Sequence, residues 1–100
     1  MQQITVVVPA TGAANGTFDA GGYEYIIVAA DGLAGAEEVD IENIAGTTFK
    51  TTTNETGTAQ KLTSSISSLR LTGGAFYRFS KDATVASCGV YVQLGTPMRR

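Results

Sequence analysis

The chain has no histidine and no tryptophan, one cysteine, two prolines, and not one lysine or arginine before Lys50. Without histidine, the commonest general base and a frequent metal ligand, neither a Ser-His-Asp nor a Cys-His arrangement can be built within one chain. A lone Cys88 excludes an internal disulfide, and a single thiol fits a reducing site of synthesis better than a small secreted domain. No run approaches the roughly 18 apolar residues of a membrane-spanning helix. The opening MQQITVVVPATG lacks the basic flank and the apolar length of a signal peptide, so neither a membrane nor a targeting role is expected. A net charge of −2, with no stripe of interleaved basic and aromatic residues, argues against nucleic acid as a partner, and the Arg99–Arg100 pair is too short to change that.

What the chain does have is the composition of a β protein. It carries 14 Thr, 6 Ser and 12 Gly in 100 residues, with helix-forming side chains scarce. That length is one domain, residues 1–100, able to enclose a single core. Charge is segregated along it. Asp19, Glu24, Asp31, Glu37, Glu38, Asp40 and Glu42 all precede Lys50, and every basic residue lies at or after it. The first 49 residues therefore carry −7 and the remainder +5, a pattern suited to a surface that meets its own complement.

Period-2 patterning predicts the elements. Ile4, Val6 and Val8 alternate with Gln3, Thr5 and Val7 in a strand over 2–8 that Pro9 ends, since proline has no N–H for a ladder. Asn15-Gly16 and Gly21-Gly22 read as turns around a short strand at 17–20. A long strand follows at 23–30, apolar on both sides from Ile26 onward and so expected to be central and covered on both faces. After a turn-rich link from Asp31-Gly32 to Ala36, Val39 and Ile41 alternate with Glu38, Asp40 and Glu42, giving a half-buried strand with an exposed row of three carboxylates, a candidate blocker of a sheet edge. Residues 47–53 read as a strand with Phe49 as its core anchor, and 54–57 as a turn. The stretch 58–71 fits helical spacing nearly as well as alternation, but its Ser/Thr density favours two strands, at 59–63 and 66–72. Gly73-Gly74 turns into a strand at 76–79 with Tyr77 and Phe79 on one side. The last strand, 87–94, turns Cys88, Val90, Val92 and Leu94 inward, and Gly95-Thr96-Pro97 ends it before a basic tail. Seven to nine short strands at such spacing, with little or no helix, predict an all-β antiparallel sandwich of jelly-roll type.

No residue set reads as catalytic, and no cofactor or metal is expected. Glu37, Glu38, Asp40 and Glu42 form a solvated row rather than a carboxylate pair across a cleft. Together with Asp31 they are also hard donors of the kind calcium accepts, yet no D-x-D-x-D-G loop accompanies them. Gly21-Gly22 and Gly73-Gly74 precede strands and so read as turns, not as a phosphate cradle. Cys88, inward in its strand, reads as a small hydrophobe. The sequons at Asn15 and Asn54 have no secretory signal to bring them to glycosylation. Tyr23, Tyr25, Tyr77 and Tyr91 read as core and interface residues, with Tyr91 the best candidate for an outward stacking surface.

Several segments, namely ITVVVPATG, GGYEYIIVAADGLAGAEEVDIE, TTFKTTTNETGTAQKL and RFSKDATVASCGVYVQL, resemble small virion proteins of tailed bacteriophages, the capsid decoration or cement class and related head–tail proteins. The chain is also similar in style to tail-tube and adhesin modules. The resemblance implies a non-enzymatic structural protein, made in the bacterial cytoplasm and placed on the capsid surface. It implies a homo-oligomer, a trimer foremost, bound to the outer face of the major capsid protein lattice. The interface residues expected are Glu38, Asp40 and Glu42 of one copy facing Arg70, Arg78 or Lys81 of the next copy or of the shell. The alternative pairing is internal, the same residues meeting across adjacent strands of one domain. From a different class, the competing function is a carbohydrate- or host-surface-binding β-sandwich module of a tail or fibre.

Overall fold

The computed structural model describes residues 3–53 and 57–97, and among these the chain forms nine strands and no helix. They are β1 (Gln3–Ala10), β2 (Ala14–Asp19), β3 (Tyr25–Ala30), β4 (Val39–Ala45), β5 (Thr48–Thr51), β6 (Lys61–Leu62), β7 (Ser68–Thr72), β8 (Phe76–Lys81) and β9 (Cys88–Leu94). Sheet A has the order β1-β9-β3-β7 and sheet B the order β2-β8-β4-β5, with β6 also pairing β4; every ladder is antiparallel. Setting aside the two-residue β6, this is the strand order of a jelly roll, in which successive strands cross between the sheets except at the β4–β5 hairpin.

The core follows from alternation. Ile26 and Val28 of β3, Cys88, Val90 and Val92 of β9, Val39 and Ile41 of β4, Leu62 of β6 and Phe79 of β8 are wholly or almost wholly buried between the sheets. Full burial of each large aliphatic or aromatic side chain contributes about 1.5–3 kcal/mol. Tyr77 joins this layer because its hydroxyl donates to the Thr72 carbonyl at 2.6 Å, which satisfies the one polar atom it carries inward.

Several expectations are corrected by packing. In β1 the register slips between Thr5 and Val7 and again between Val7 and Ala10, so Val7, not Val8, turns into the core, and Val8 is 75% exposed. Pro9 lies inside the strand rather than ending it, tolerated because β1 is an edge strand and the slip falls there. Asn15-Gly16 is no turn but part of β2. A side chain at Gly16 would run into the Val6 carbonyl, so glycine lets the β1 and β2 backbones approach where the two sheets pinch together. The long strand at 23–30 begins only at Tyr25 and is central as expected, but its outer residues Tyr25, Ile27 and Ala29 are half-buried, not covered. Phe49 points outward. The carboxylate row belongs to β4, which is flanked on both sides, so it guards no edge. The two strands expected at 59–63 and 66–72 form as Lys61–Leu62 and Ser68–Thr72, and β8 extends to Lys81. The turn at 54–57 and the basic tail lie largely outside the described residues, as does the Asn54 sequon.

Candidate interaction surface

Of the six expected interface residues, three acidic and three basic, four are engaged within the chain. Glu42 and Arg78 stand directly opposite on β4 and β8, and the guanidinium grips the carboxylate with two bonds, Nε to Oε1 at 2.9 Å and Nη2 to Oε2 at 3.2 Å. Arg78 also lies 4.3 Å from the Phe49 ring centre, and Phe49 packs on Phe76 at 5.9 Å, which explains why Phe49 serves the outer face of sheet B. Glu38 pairs with Lys61 at 3.3 Å. Asp40, exposed, sits opposite Lys61 in the ladder. Its carboxyl is raised above the usual value chiefly by partial desolvation, with Lys61 opposing and Asp82, Glu38 and Glu42 adding to the rise.

Lys81 is the plainest correction. It was expected at an interface, yet it is 3% exposed, because β8 carries Tyr77, Phe79 and Lys81 on its inward side. Its ammonium donates to the Gly12 carbonyl at 2.6 Å and the Asp82 carbonyl at 3.1 Å, and approaches Thr84 Oγ1 at 3.5 Å. The Thr84 hydroxyl donates in turn to the Ala86 carbonyl at 2.6 Å, and the Thr84 N–H to the Thr11 carbonyl at 2.8 Å. Lysine here is a staple between the 11–13 and 82–87 connections. Cys88, also buried, has its thiol pushed up chiefly by desolvation, as expected of an inert packing residue.

Glu37, expected in the solvated row, does similar work together with Asp31 and Asp82 at the same end of the sandwich, where connections 11–13, 31–38, 63–67 and 82–87 meet. Glu37 accepts from the Ala34 N–H with one oxygen and from the Val85 N–H with the other, both at 2.9 Å. Asp31 accepts from the Gly89 N–H at 2.9 Å and Asp82 from the Glu38 N–H at 3.3 Å. Ser64 donates to the Gly35 carbonyl at 3.2 Å. Gly32, at φ 79°, permits the first of these turns and leaves room for the Ser87 carbonyl. With carboxylates turned inward as clips, apolar side chains are left at the tips: Val85 is 87% exposed and Ile66 50%, with Val8 at 75% on the last third of β1 nearby. The signal available in the sequence was small, an apolar residue inside the Ala-Thr-Val-Ala loop of 83–86.

Among the described residues no three metal-ligating side chains gather. The tyrosines do not form one platform. Tyr77 is buried, Tyr23 packs against the core, and the Tyr25 ring carries the Arg70 guanidinium 3.9 Å from its centre. Tyr91 lies on the outer face of sheet A opposite Ala29, four residues along β3 from Tyr25, or about 13 Å at the rise of a strand. A cleft of about 260 Å³ opens on the side of the sandwich away from β1 and β2, lined by Thr52, Thr53, Gln60, Arg70, Leu71, Thr72 and Tyr77. Comparison of the chain with models of protein families, with curated proteins and with solved structures finds no match.

Proposed function

We propose that the chain is a non-enzymatic virion structural protein of the capsid decoration class, which self-associates and binds the outer face of a major capsid lattice. The observation that carries this reading is the end of the sandwich where Val85 and Ile66 project from connections tied by carboxylate clips and by the Ser64–Gly35 bond, with Val8 exposed on β1. Such a surface is preorganised, so binding costs little ordering of the loops, and its apolar tips gain free energy when covered. Jelly rolls recur in viral coat proteins and in lectins alike, so the fold supports the reading by analogy only. A sugar-binding module is supported less, because the ring face of Tyr25 carries Arg70 and Tyr77 is buried.

Attachment of this kind rests on burial rather than on exposed ion pairs, and it persists at 1 M salt, where the screening length is about 3 Å. The test has two arms. Light scattering over a range of concentrations should show a closed oligomer, a trimer foremost; a monomer throughout removes self-association. Co-sedimentation with shells of the cognate major capsid protein should be retained in high salt and lost in a Val85→Asp, Ile66→Asp variant that melts like the parent. Equal binding by that variant removes the loop end as the attachment surface.

A further inference from the structure

The sandwich is asymmetric at its two sides. Beside β1 and β2 the sheets pinch together at Gly16 and Val6, whereas beside β7 the cleft lies open. On β7 the ladder with β3 is fixed by two flanking bonds, Ala30 N–H to the Ser67 carbonyl and Gly73 N–H to the Glu24 carbonyl, both 2.9 Å. Because bonded and non-bonded pairs alternate in an antiparallel ladder, Leu69 and Leu71 direct their backbone groups to β3. Ser68, Arg70 and Thr72 therefore direct theirs outward. The Thr72 carbonyl accepts from the Tyr77 hydroxyl, which leaves the N–H and C=O of Ser68 and Arg70 and the N–H of Thr72 as a template of five groups. Native edges are normally blunted by bulges, proline or shortness. β1 carries two register slips and Pro9, and β5 and β6 are four and two residues long. β7 has neither a slip nor a proline. β2 is regular too, but beside it the backbone of Gly16 lies close against Val6 of β1.

We infer that the β7 edge and its cleft accept an extended segment of a partner polypeptide as a fifth strand of sheet A, with a carboxylate of that segment opposite Arg70. Backbone pairing supplies the binding, and alternate side chains of the segment supply the choice. Those facing inward enter the cleft over Leu71 and Tyr77, where Thr52, Thr53 and Gln60 favour a small or β-branched residue. Those facing outward lie beside Ser68, Arg70 and Thr72. Arg70 is exposed, stacked on Tyr25, and has no carboxylate within 4 Å among the described residues, so an Asp or Glu across from it completes the pair. A second copy centred on Arg70 would set two guanidinium groups face to face, which counts against β7 pairing with itself. The inference is independent of the loop end and does not require self-association.

The experiment is selection of a displayed random decapeptide library on the full-length protein, followed by anisotropy titration of the enriched peptides and amide hydrogen exchange. Expected are sequences with Asp or Glu at one fixed position flanked by alternating β-branched residues. On binding, the amides of Ser68, Arg70 and Thr72 gain protection, while those of Leu69 and Leu71 are protected beforehand. Ser68→Pro removes an outward N–H without touching the β3 ladder and should weaken binding at least tenfold. Arg70→Glu should shift preference to peptides with Lys in place of the carboxylate. A library that yields no enriched sequence, or peptides bound equally by the Ser68→Pro variant, overturns the inference. So does protection of the three amides that appears with protein concentration alone, which would assign the edge to a second copy.

Discussion

The buried staple at Lys81 permits a sharp test of how this small domain holds its loop end. Lys81 is 3% exposed, and its ammonium has no carboxylate within 4 Å among the described residues and depends on the Gly12 and Asp82 carbonyls and the Thr84 hydroxyl. Hydrogen bonds to a charged group contribute about 1.5–3 kcal/mol each, and the desolvation of the ammonium opposes them. Lys81→Met keeps the stem and its packing against the core while removing the donors, so the Gly12 and Asp82 carbonyls, at the surface end of the staple, lose their charged partner. A net loss of about 1–3 kcal/mol is expected. Lys81→Ala adds the loss of the methylene stem and a cavity, for about 2–4 kcal/mol in total. In a domain of this size 1 kcal/mol moves Tm by about 4–8 °C, so the methionine variant should melt roughly 4–24 °C below the parent.

Urea titration followed by circular dichroism measures the difference, with the slope against urea unchanged if the native fold is retained. The loss should change little between about 0.05 M and 1 M salt, because Lys81 is 3% exposed and buried charges are screened far less than exposed ones. Exchange of the Thr84 amide, bonded to the Thr11 carbonyl, should accelerate more than exchange in the β3–β9 ladder. A Lys81→Met protein within about 0.5 kcal/mol of the parent would refute the reasoning, since burial alone and not the carbonyl cage would then account for the residue.

Other substitutions probe the remaining links. Gly16→Ala and Gly73→Ala each drive a Cβ into a backbone carbonyl, of Val6 and Tyr23 respectively, and each should cost more than about 3 kcal/mol or abolish soluble expression. A double-mutant cycle on Glu42 and Arg78 should show a favourable coupling that shrinks in 1 M salt, since both side chains remain partly exposed; no coupling at low salt would show the bidentate contact to be idle. Asp40 binds its proton more tightly in the folded state than its ordinary 3.8 allows, so its ionisation opposes folding above the raised value and ceases to do so as pH falls towards 3.8. Asp40→Asn should therefore stabilise slightly at pH 7, with the advantage gone below about pH 4 by thermal melting.

Much of this architecture was legible because alternation is hard to disguise. Cys88, Val90 and Val92 face inward as their spacing requires, and so do Val39, Ile41, Leu71 and Phe79. What failed was wherever tertiary packing shifts the phase or reverses a face. Nothing local in ITVVVPATG announces the slip that exchanges Val7 for Val8, since it is set by the partner strand β9. A lone aromatic among threonines looks like a core anchor, whereas Phe49 packs at a tilt on Phe76 beneath the Arg78 guanidinium. Lys81 is an interface candidate in the sequence because the strand is expected to end at Phe79; β8 runs on to Lys81, and the alternation of Tyr77 and Phe79 then carries it inward. One of its carbonyl partners, Gly12, lies 69 positions away, and no pattern in one sequence displays that.

The segregated charge of the chain has its explanation in the strand order. In a jelly roll the first half of the chain runs beside the second half, and six of the seven ladders here join a strand ending by Ala45 to one beginning at or after Lys61, the β4–β5 hairpin being the exception. An acidic first half and a basic second half therefore meet inside one domain, as Glu38 with Lys61 and Glu42 with Arg78. The same segregation penalises alternatives, because a β4 paired with another acidic-half strand would set like charges opposite one another. Glu38 and Glu42 of the acidic row thus have partners within the chain, the internal pairing that was the alternative, while Asp40 stays exposed. What stays open to the proposed partners is apolar at the loop tips, backbone along β7, and Arg70, an exposed cation that has no carboxylate within 4 Å among the described residues.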